Sequence, residues 1–335
     1  MSTLPPGFTN PGTMCYLSSV LQSTLYIVAK HGVPSSLSPS TPANHLASIL
    51  SEMADAVTRP TPHINPTPVF QALATFYTPL SEPIQHDAHE CISALLDGWH
   101  EGSRRRQRAV SPLMEPPPNP IEHLNHLGMV DWELRKPSKI MRLLYGQFLC
   151  QVECKSCKHC STTFDIFNTL SVTIPPSQPS QQPIPLNLHD CMRFTFAEDL
   201  FEDYQCDGCH QHTPARKKMD VWRTPPILII HLKRFDPMTQ QKRVDPILFP
   251  WRYPLRHKGK DTTFYRLMSV IHHHGQMDRG HYTSTVLHDK HYYNINDGNI
   301  LPNPFLVDNN DGNGWVSSTA YILIYEREKK TKFIK

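Results

Sequence analysis

Residues 10–22 have the sequence NPGTMCYLSSVLQ, in which a proline–glycine turn leads directly into an apolar stripe at helical spacing. The pattern predicts a helix that begins near Cys15, with Thr13 as a candidate N-cap. A cysteine at a helix start faces free backbone amides and the positive end of the helix dipole, which favour the thiolate and lower its pKa. Taken alone, such a cysteine is more often a small buried hydrophobe than a nucleophile.

Helical patterns continue outward from this stretch to about residue 142, and strand patterns dominate after it. The predicted further helices are Leu46–Val57, Gln85–Glu101 and Leu188–Leu200. The predicted strands are Leu144–Cys154, Thr162–Ile174, Ile227–Phe235, Tyr265–His273, His281–His288 and Ala320–Glu326. The apolar run Ile227–Leu232 predicts a strand buried on both faces. Helices followed by strands favour an α+β fold over a wound βαβ fold.

Composition limits the classes of function. The 335 residues are 39% hydrophobic and 19% charged, which is enough to build a sizeable core. The formal net charge of +3 is too weak to indicate a nucleic-acid or anionic membrane partner. No run approaches the ~18 apolar residues of a membrane span. We therefore expect an intracellular protein, in the cytoplasm or nucleus, whose nine cysteines are thiols or metal ligands.

Four of those cysteines form two C-x-x-C pairs, Cys154 with Cys157 and Cys206 with Cys209. Two such pairs can complete a tetrahedral thiolate site, so they predict a structural zinc ion that staples a β-rich extension. The interval between the pairs exceeds that of ordinary zinc ribbons. The alternative is that they are unrelated buried thiols, and Cys150 and Cys160 lie close enough to compete as ligands.

A candidate partner for Cys15 lies far along the chain. His281 opens a predicted strand, and Asn296 and Asp297 end the next one, so the three can lie side by side. A histidine held by an amide or carboxylate and facing a thiolate is the Cys-His-Asn arrangement of papain-like enzymes. The chain contains 20 histidines, so any single one is more often a surface or core residue.

Together these segments resemble the ubiquitin-specific protease (USP) family of papain-like cysteine deubiquitinases over nearly the whole chain. The match is carried by Gly7–Gln22 (the G-L-x-N-x-G-N-T-C-Y box), Gln85–Cys91 (the Q-Q-D-A-x-E-F box), Leu188–Cys191, both cysteine pairs, Leu228–Phe235, Tyr265–Leu267, His274–Tyr282 (the H-x-G…G-H-Y box) and Ala320–Tyr325. The resemblance implies a papain-like fold with a thumb, a palm and zinc-stapled fingers. It also implies hydrolysis of the (iso)peptide bond after the last glycine of ubiquitin.

The resemblance assigns catalytic roles to matching positions. It implies that Cys15 is the nucleophile and His281 the general base. Asn296 takes the third triad position with Asp297 next to it, and either residue can carry weight in this family. Asn10 matches the oxyanion-hole asparagine; one such donor is typically worth roughly 2.7–4 kcal/mol of transition-state stabilisation.

Substrate-binding positions follow in the same way. Asp87 and Glu90 are the candidates for binding the arginines of the ubiquitin tail, with a solvated helix face as the alternative. Gln85, Gly280 and Tyr282 are the further candidates beside the channel for the terminal glycines. The implied partners are ubiquitin and ubiquitinated proteins, with no nucleic acid or membrane. Activating subunits are left open.

The implied organisation is a single catalytic domain over residues 1–335, with thumb 1–142, fingers 143–225 and palm 226–335. Several positions depart from the family pattern, namely Pro11, Thr13, Met14, Ser18, His86 and Cys91. Three alternatives remain: a catalytically impaired ubiquitin-binding scaffold, a protease for another ubiquitin-like modifier, and a zinc-dependent nucleic-acid module. The weak net charge disfavours the third.

Overall fold

The computed structural model describes residues 5–32, 40–59, 63–104, 120–176, 185–236, 238–239, 241–258, 262–276, 279–307 and 314–329. The α-helices within these ranges are α1 (Cys15–Lys30), α2 (Pro42–Ala56), α3 (Thr67–Phe76), α4 (Ala88–Gly102), α5 (Pro120–Leu134), α6 (Lys139–Leu144) and α7 (Leu188–Thr195). A single 3₁₀ turn, Thr78–Leu80, joins α3 to the segment before α4.

The strands of the first half are β1 (Gly7–Phe8), β2 (His63–Ile64), β3 (Gly146–Cys154), β4 (Cys160–Phe167), β5 (Leu170–Thr173), β6 (Leu186–Asn187), β7 (Asp199–Gln205), β8 (His212–Arg223) and β9 (Ile227–Lys233). The remaining strands are β10 (Phe235–Asp236), β11 (Gln241–Lys242), β12 (Ile247–Pro250), β13 (Arg252–Leu255), β14 (Thr263–Gly275), β15 (Gly280–His288), β16 (His291–Asn296), β17 (Asn299–Val307), β18 (Gly314–Ser317) and β19 (Ala320–Arg327). Most helices therefore precede most strands, and the predicted α+β class is confirmed.

The largest sheet has the order β17-β16-β15-β14-β19-β9-β5, with β13 added along β14. Side chains of β9 alternate between two cores. Ile227 and Ile229 face the core built with α1, α2 and α4, whereas Leu228 and Ile230 face a second core that includes α7. This explains the unbroken apolar run that predicted a strand buried on both faces. Helix α1 packs against β14 and β15, which places its first residue beside the start of β15.

A separate four-stranded antiparallel sheet has the order β4-β3-β8-β7. Many side chains of its strands are exposed to solvent. The sheet has a small hydrophobic core of its own, formed by Leu149, Phe164 and Trp222. Both cysteine pairs lie at the same end of this sheet, the first beginning with the last residue of β3 and the second directly after β7. A sheet with so little core needs another source of stability at its tip.

The N-terminal strand is held against the far end of the chain. The backbone N–H of Phe8 donates to the carbonyl of Asp297 at 3.3 Å. A Cβ at Gly7 would lie 2.9 Å from the Cα of Gly298, so only glycine allows this approach. The chain segment before Cys15 is thereby fixed beside the turn that follows β16.

Several element boundaries differ from those predicted. Helix α4 begins at Ala88, because the Asp87 side chain accepts hydrogen bonds from the N–H groups of His89 and Glu90 and so caps the helix. Thr13 does not cap α1; the flanking residue is Met14, without a side-chain cap, and the Thr13 hydroxyl instead donates to the Pro83 carbonyl at 2.8 Å.

The prediction of one helix over Leu188–Leu200 is wrong at its end, because α7 stops at Thr195 and β7 begins at Asp199. Pairing with β8 overrides local helical spacing there.

The predicted strand Thr162–Ile174 is two strands, β4 and β5, which belong to different sheets. The sequence patterns did not predict helices α3, α5 and α6. The proline-rich composition also predicts an exposed loop over Ser103–Pro120 and a flexible connector over Pro175–Pro185, and much of both segments lies outside the described residues. Among the described helices, none combines the length and apolarity needed to cross a membrane.

Candidate active site and metal centre

Cys15 is the first residue of α1 and is 2% exposed. Burial raises the pKa of its thiol, and the nearby Asp297 carboxylate raises it further. The backbone N–H of Tyr282 faces the sulfur and lowers the pKa, by less than burial raises it. The net direction is opposite to the one predicted from the helix start alone, because desolvation of the thiolate outweighs the amides. The thiol is therefore neutral until a base removes its proton.

The predicted base lies one residue before Tyr282, whose backbone N–H faces the Cys15 sulfur. His281 precedes Tyr282 on β15, and its Nε2 lies 2.7 Å from Oδ1 of Asn296 at the end of β16. An amide oxygen is an acceptor, so Nε2 carries the proton and Nδ1 has the free lone pair. Of the two candidates for the third position, the structure thus brings Asn296, and not Asp297, to the imidazole.

Asp297 contacts Asn10 instead. The Asn10 Nδ2 donates to Oδ2 of Asp297 at 3.1 Å, while its Oδ1 accepts from the N–H groups of Gly12 and Met14, both at 3.1 Å. Three hydrogen bonds therefore fix the plane and orientation of the Asn10 amide. One of its two N–H bonds is used by Asp297, and the other is left for a ligand.

The carboxylate of Asp87 joins α4 to the large sheet. Its Oδ1 caps the helix, and its Oδ2 accepts from the hydroxyl of Tyr321 on β19, with the hydroxyl of Tyr282 at 3.5 Å. Burial, and then the Asp87 charge, raises the pKa of both phenols, so each remains a hydrogen-bond donor. The Glu90 carboxylate accepts from the Tyr77 hydroxyl at 3.0 Å.

The hairpin between β14 and β15 lies against the loop before α4. The Gly280 N–H donates to the Gln85 side-chain oxygen at 3.3 Å. A Cβ at Gly280 would lie 2.0 Å from Nε2 of His273, so the absent side chain makes room for that imidazole. Four of the five predicted substrate-binding residues, namely Gln85, Asp87, Gly280 and Tyr282, thus meet at the start of β15, whereas Glu90 contacts Tyr77. The sequence analysis did not identify Tyr321 and His273 as residues near the candidate site. Both lie in apolar strands, and nothing in the local sequence distinguishes them from core residues.

The second candidate site lies at the end of the four-stranded sheet. The thiol groups of Cys154, Cys157, Cys206 and Cys209 all lie within 4.8 Å of one another, and the sulfurs of Cys157 and Cys206 are 3.6 Å apart. A tetrahedral ion with metal–sulfur bonds of about 2.3 Å needs sulfurs about 3.8 Å apart. The four cysteines fit such an ion and could hold it. Cys150 and Cys160 are not part of this group.

The backbone around the two pairs has the same turn twice. The N–H of Lys158 donates to the Cys154 carbonyl at 3.1 Å, and the N–H of His210 donates to the Cys206 carbonyl at 2.8 Å. Both Lys158 and His210 have positive φ, 63° and 57°. This repetition brings two pairs that are distant in sequence into one cluster, which argues against unrelated buried thiols.

Comparison with known proteins identifies the family to which this geometry belongs. The family model described as ubiquitin carboxyl-terminal hydrolase matches residues 6–325. The chain belongs to that family. The match spans Asn10, Cys15, the cysteine pairs, His281 and Asn296, and it confirms the resemblance read from the sequence motifs.

Curated relatives named as ubiquitin carboxyl-terminal hydrolases are similar at 28–32% identity. Ubiquitin carboxyl-terminal hydrolase 5 of Saccharomyces cerevisiae is 28% identical over 96% of this chain and 44% of its own length. Human ubiquitin carboxyl-terminal hydrolase 21 is 29% identical over 96% of this chain and 61% of its own length. The chain therefore spans about half the length of these relatives.

A solved structure of the family has the same fold. The structure of the SAGA DUB module with Ubp8, Sgf11, Sus1 and Sgf73 bound to monoubiquitin superposes with a TM-score of 0.68 at 19% identity. The likeness covers 97% of this chain and 69% of that one. The predicted papain-like fold of the USP type is confirmed.

The positions that depart from the family pattern do not include the predicted catalytic residues. Pro11 lies between Asn10 and Gly12 and is exposed. His86 packs edge-on against Tyr16 at 5.3 Å, and its Nε2 lies 2.9 Å from the Glu82 carbonyl. Cys91 is fully buried in the core behind α1, where a larger residue of the family pattern would stand. The chain therefore keeps the residue types that the family resemblance predicts at Asn10, Cys15, His281 and Asn296.

Proposed function

We propose that the chain is a cysteine-type deubiquitinase that hydrolyses the (iso)peptide bond after the C-terminal glycine of ubiquitin. The observation that carries the proposal is the hydrogen bond from His281 Nε2 to Asn296, one residue before the Tyr282 N–H that faces the buried Cys15 sulfur. The bond holds the imidazole as a base with Nδ1 available. Family membership over residues 6–325 supports the same reaction.

The proposed mechanism begins with proton transfer. Nδ1 of His281 takes the Cys15 proton, and the thiolate attacks the carbonyl carbon of the last glycine. The second Asn10 N–H and the Cys15 backbone N–H donate to the oxyanion that forms. His281 then gives its proton to the leaving lysine amine, and the C–N bond breaks to leave a thioester. Water, deprotonated by His281, hydrolyses the thioester and restores the thiol.

The proposed division of the single domain is thumb 1–142, fingers 143–225 and palm 226–335. Cys15 then belongs to the thumb and His281 to the palm, and the tail of ubiquitin lies between them. Gln85, Gly280 and Tyr282 line the channel for the terminal glycines. Glu90 is the better candidate for an arginine of the tail, because Asp87 already has in-chain donors on both oxygens.

Zinc is the metal we propose for the four-cysteine cluster. Four thiolates in tetrahedral reach are the donor set of structural zinc sites, and all four positions are filled by protein ligands. The ion would tie β3 to the segment after β7 and stabilise a sheet with little core. It would take no part in the hydrolysis. The proposed partners are ubiquitin and ubiquitinated proteins, and the proposed location is intracellular.

One experiment tests the proposed function directly. The protein is incubated with ubiquitin that carries a C-terminal electrophile, and the adduct is measured by mass spectrometry. We expect one covalent ubiquitin per chain, lost in Cys15→Ala and kept in Cys160→Ser, which removes an exposed thiol outside both sites. An intact Cys15 with ubiquitin bound would support an impaired scaffold instead. Adducts with another modifier only would change the substrate class.

A further inference from the structure

Lys242 on β11 binds the hairpin that carries His281. Its Nζ donates to the carbonyl of His273 at 2.7 Å and to the carbonyl of Gly275 at 3.1 Å. Both carbonyls belong to β14, 31 and 33 residues further along the chain. Among the described residues, these two carbonyls are the hydrogen-bond acceptors of the Lys242 ammonium.

The position of these carbonyls relates them to the proposed base. In the antiparallel register of β14 and β15, His274 pairs with His281 and Gly275 pairs with Gly280. Lys242 therefore holds the residues on either side of the one opposite His281. The hairpin is tight at this point, with Gly275 at φ 97° and the Gln276 N–H donating to the Arg279 carbonyl at 2.8 Å.

Lys242 is itself held on a rigid support. It pairs with Phe235 in the β10–β11 hairpin, and the Phe235 ring packs edge-on against His273 at 5.1 Å. The next residue, Arg243, donates its N–H to the carbonyl of the fully buried Arg234 at 2.7 Å. These contacts fix the backbone of Lys242 and of the residue that follows it.

We propose that Lys242 is a positioning residue for the proposed hydrolysis, since its ammonium clamps β14 so that His281 keeps its place against Cys15 and Asn296. The inference rests on the proposed function. A half-buried ammonium directed at two backbone carbonyls is placed to hold the chain, and less well placed to bind a substrate carboxylate. Burial, with the nearby Arg234, lowers the pKa of Lys242 to about 8, in keeping with this enclosed setting.

The test separates positioning from substrate binding by steady-state kinetics with ubiquitin that carries a fluorogenic C-terminal amide. We expect Lys242→Met to lower kcat about tenfold, because small displacements of a reacting group are costly, with KM within about twofold of wild type. Lys242→Arg, which keeps a charged donor, should recover part of kcat. Lys329→Met removes an exposed lysine at the far end of the described chain and should change neither constant.

Other outcomes would overturn the inference. A raised KM with an unchanged kcat would make Lys242 a ubiquitin contact, and unchanged constants would deny it any role. Should Lys242→Met fail to fold, as judged by thermal melting, Lys242→Gln goes through the same assay with the same criteria. A wild-type protein that turns over no substrate and forms no adduct at Cys15 would contradict the proposed function itself. An active wild type with unaffected variants would contradict the Lys242 role alone.

Discussion

The Asn10 side-chain nitrogen and the Asp297 carboxylate are joined by a hydrogen bond of 3.1 Å, although 287 positions separate the two residues. Asp297 holds this place at φ 52°, in the turn after β16, and its own carbonyl accepts from the Phe8 N–H. The residue after the proposed triad member thus fixes the proposed oxyanion donor. Asn296 orients the base, and its neighbour orients the amide.

Replacing Asp297 tests that arrangement. We expect Asp297→Ala to lower kcat by roughly 10- to 100-fold with little change in KM, because the Asn10 amide loses one of the bonds that orient it. Asp297→Asn should retain more activity, since an amide oxygen can still accept from Asn10 and asparagine tolerates positive φ. Steady-state kinetics on a ubiquitin substrate measure both. Equal kcat for Asp297→Ala and wild type would show that Asn10 needs no such support.

The four-cysteine cluster predicts a metal content that depends on particular thiols. We expect about one zinc ion per chain by elemental mass spectrometry, lost in Cys157→Ser together with a lower melting temperature. Cys160→Ser is the matched control, because Cys160 is also exposed, lies three residues away and is outside the cluster. A full complement of zinc in Cys157→Ser, or its loss in Cys160→Ser, would contradict the ligand assignment.

Replacing the buried Arg234, which is not one of the candidate catalytic residues, should strongly lower the free energy of unfolding. Its side chain is fully buried and donates to the carbonyls of Ala320, Arg243, Asp245 and Ser317. Arg234→Met removes the donor of these four buried hydrogen bonds, so we expect the free energy of unfolding to fall by roughly 3 kcal/mol or more. The control Arg256→Met, at an exposed position, should change it by less than about 0.5 kcal/mol. Denaturant titration distinguishes the two; a loss below about 1 kcal/mol in Arg234→Met would count against this role.

Buried histidines predict a fall in stability at acid pH. Burial lowers the pKa of His272 to about 3 and that of His273 to about 4. Between about pH 6.5 and these values, the unfolded chain binds protons that the folded chain does not, so the free energy of unfolding falls as the pH falls. Each such histidine contributes a slope of up to about 1.4 kcal/mol per pH unit in that range.

The variant His272→Gln isolates one of these contributions. We expect the slope of the unfolding free energy between pH 6.5 and 5 to decrease relative to wild type by an amount approaching about 1.4 kcal/mol per pH unit. His45→Gln, at an exposed position on α2, should leave the slope as it is. Denaturant unfolding over a pH series provides the measurement. A slope unchanged in His272→Gln would mean that His272 takes up its proton over the same pH range in the folded and the unfolded chain, which would contradict the lowered pKa.

The sequence alone determined the α+β class, the family resemblance and the residues that meet at the candidate site. These features could be predicted because the short motifs around Cys15, His281 and the cysteine pairs are recognisable in the local sequence. It also predicted a strand buried on both faces from the run Ile227–Leu232, since an apolar residue at every position requires cover on both sides of a sheet.

Only the tertiary structure determined which partner each of two neighbouring side chains contacts. The chain order Asn296–Asp297 does not say which residue reaches His281, because a turn with positive φ directs the two side chains to different partners. Likewise, a helix start predicts a lowered pKa for Cys15, whereas enclosure by the packed sheet raises it. Desolvation and long-range hydrogen bonds depend on which segments pack together, and the local sequence does not specify which segments those are.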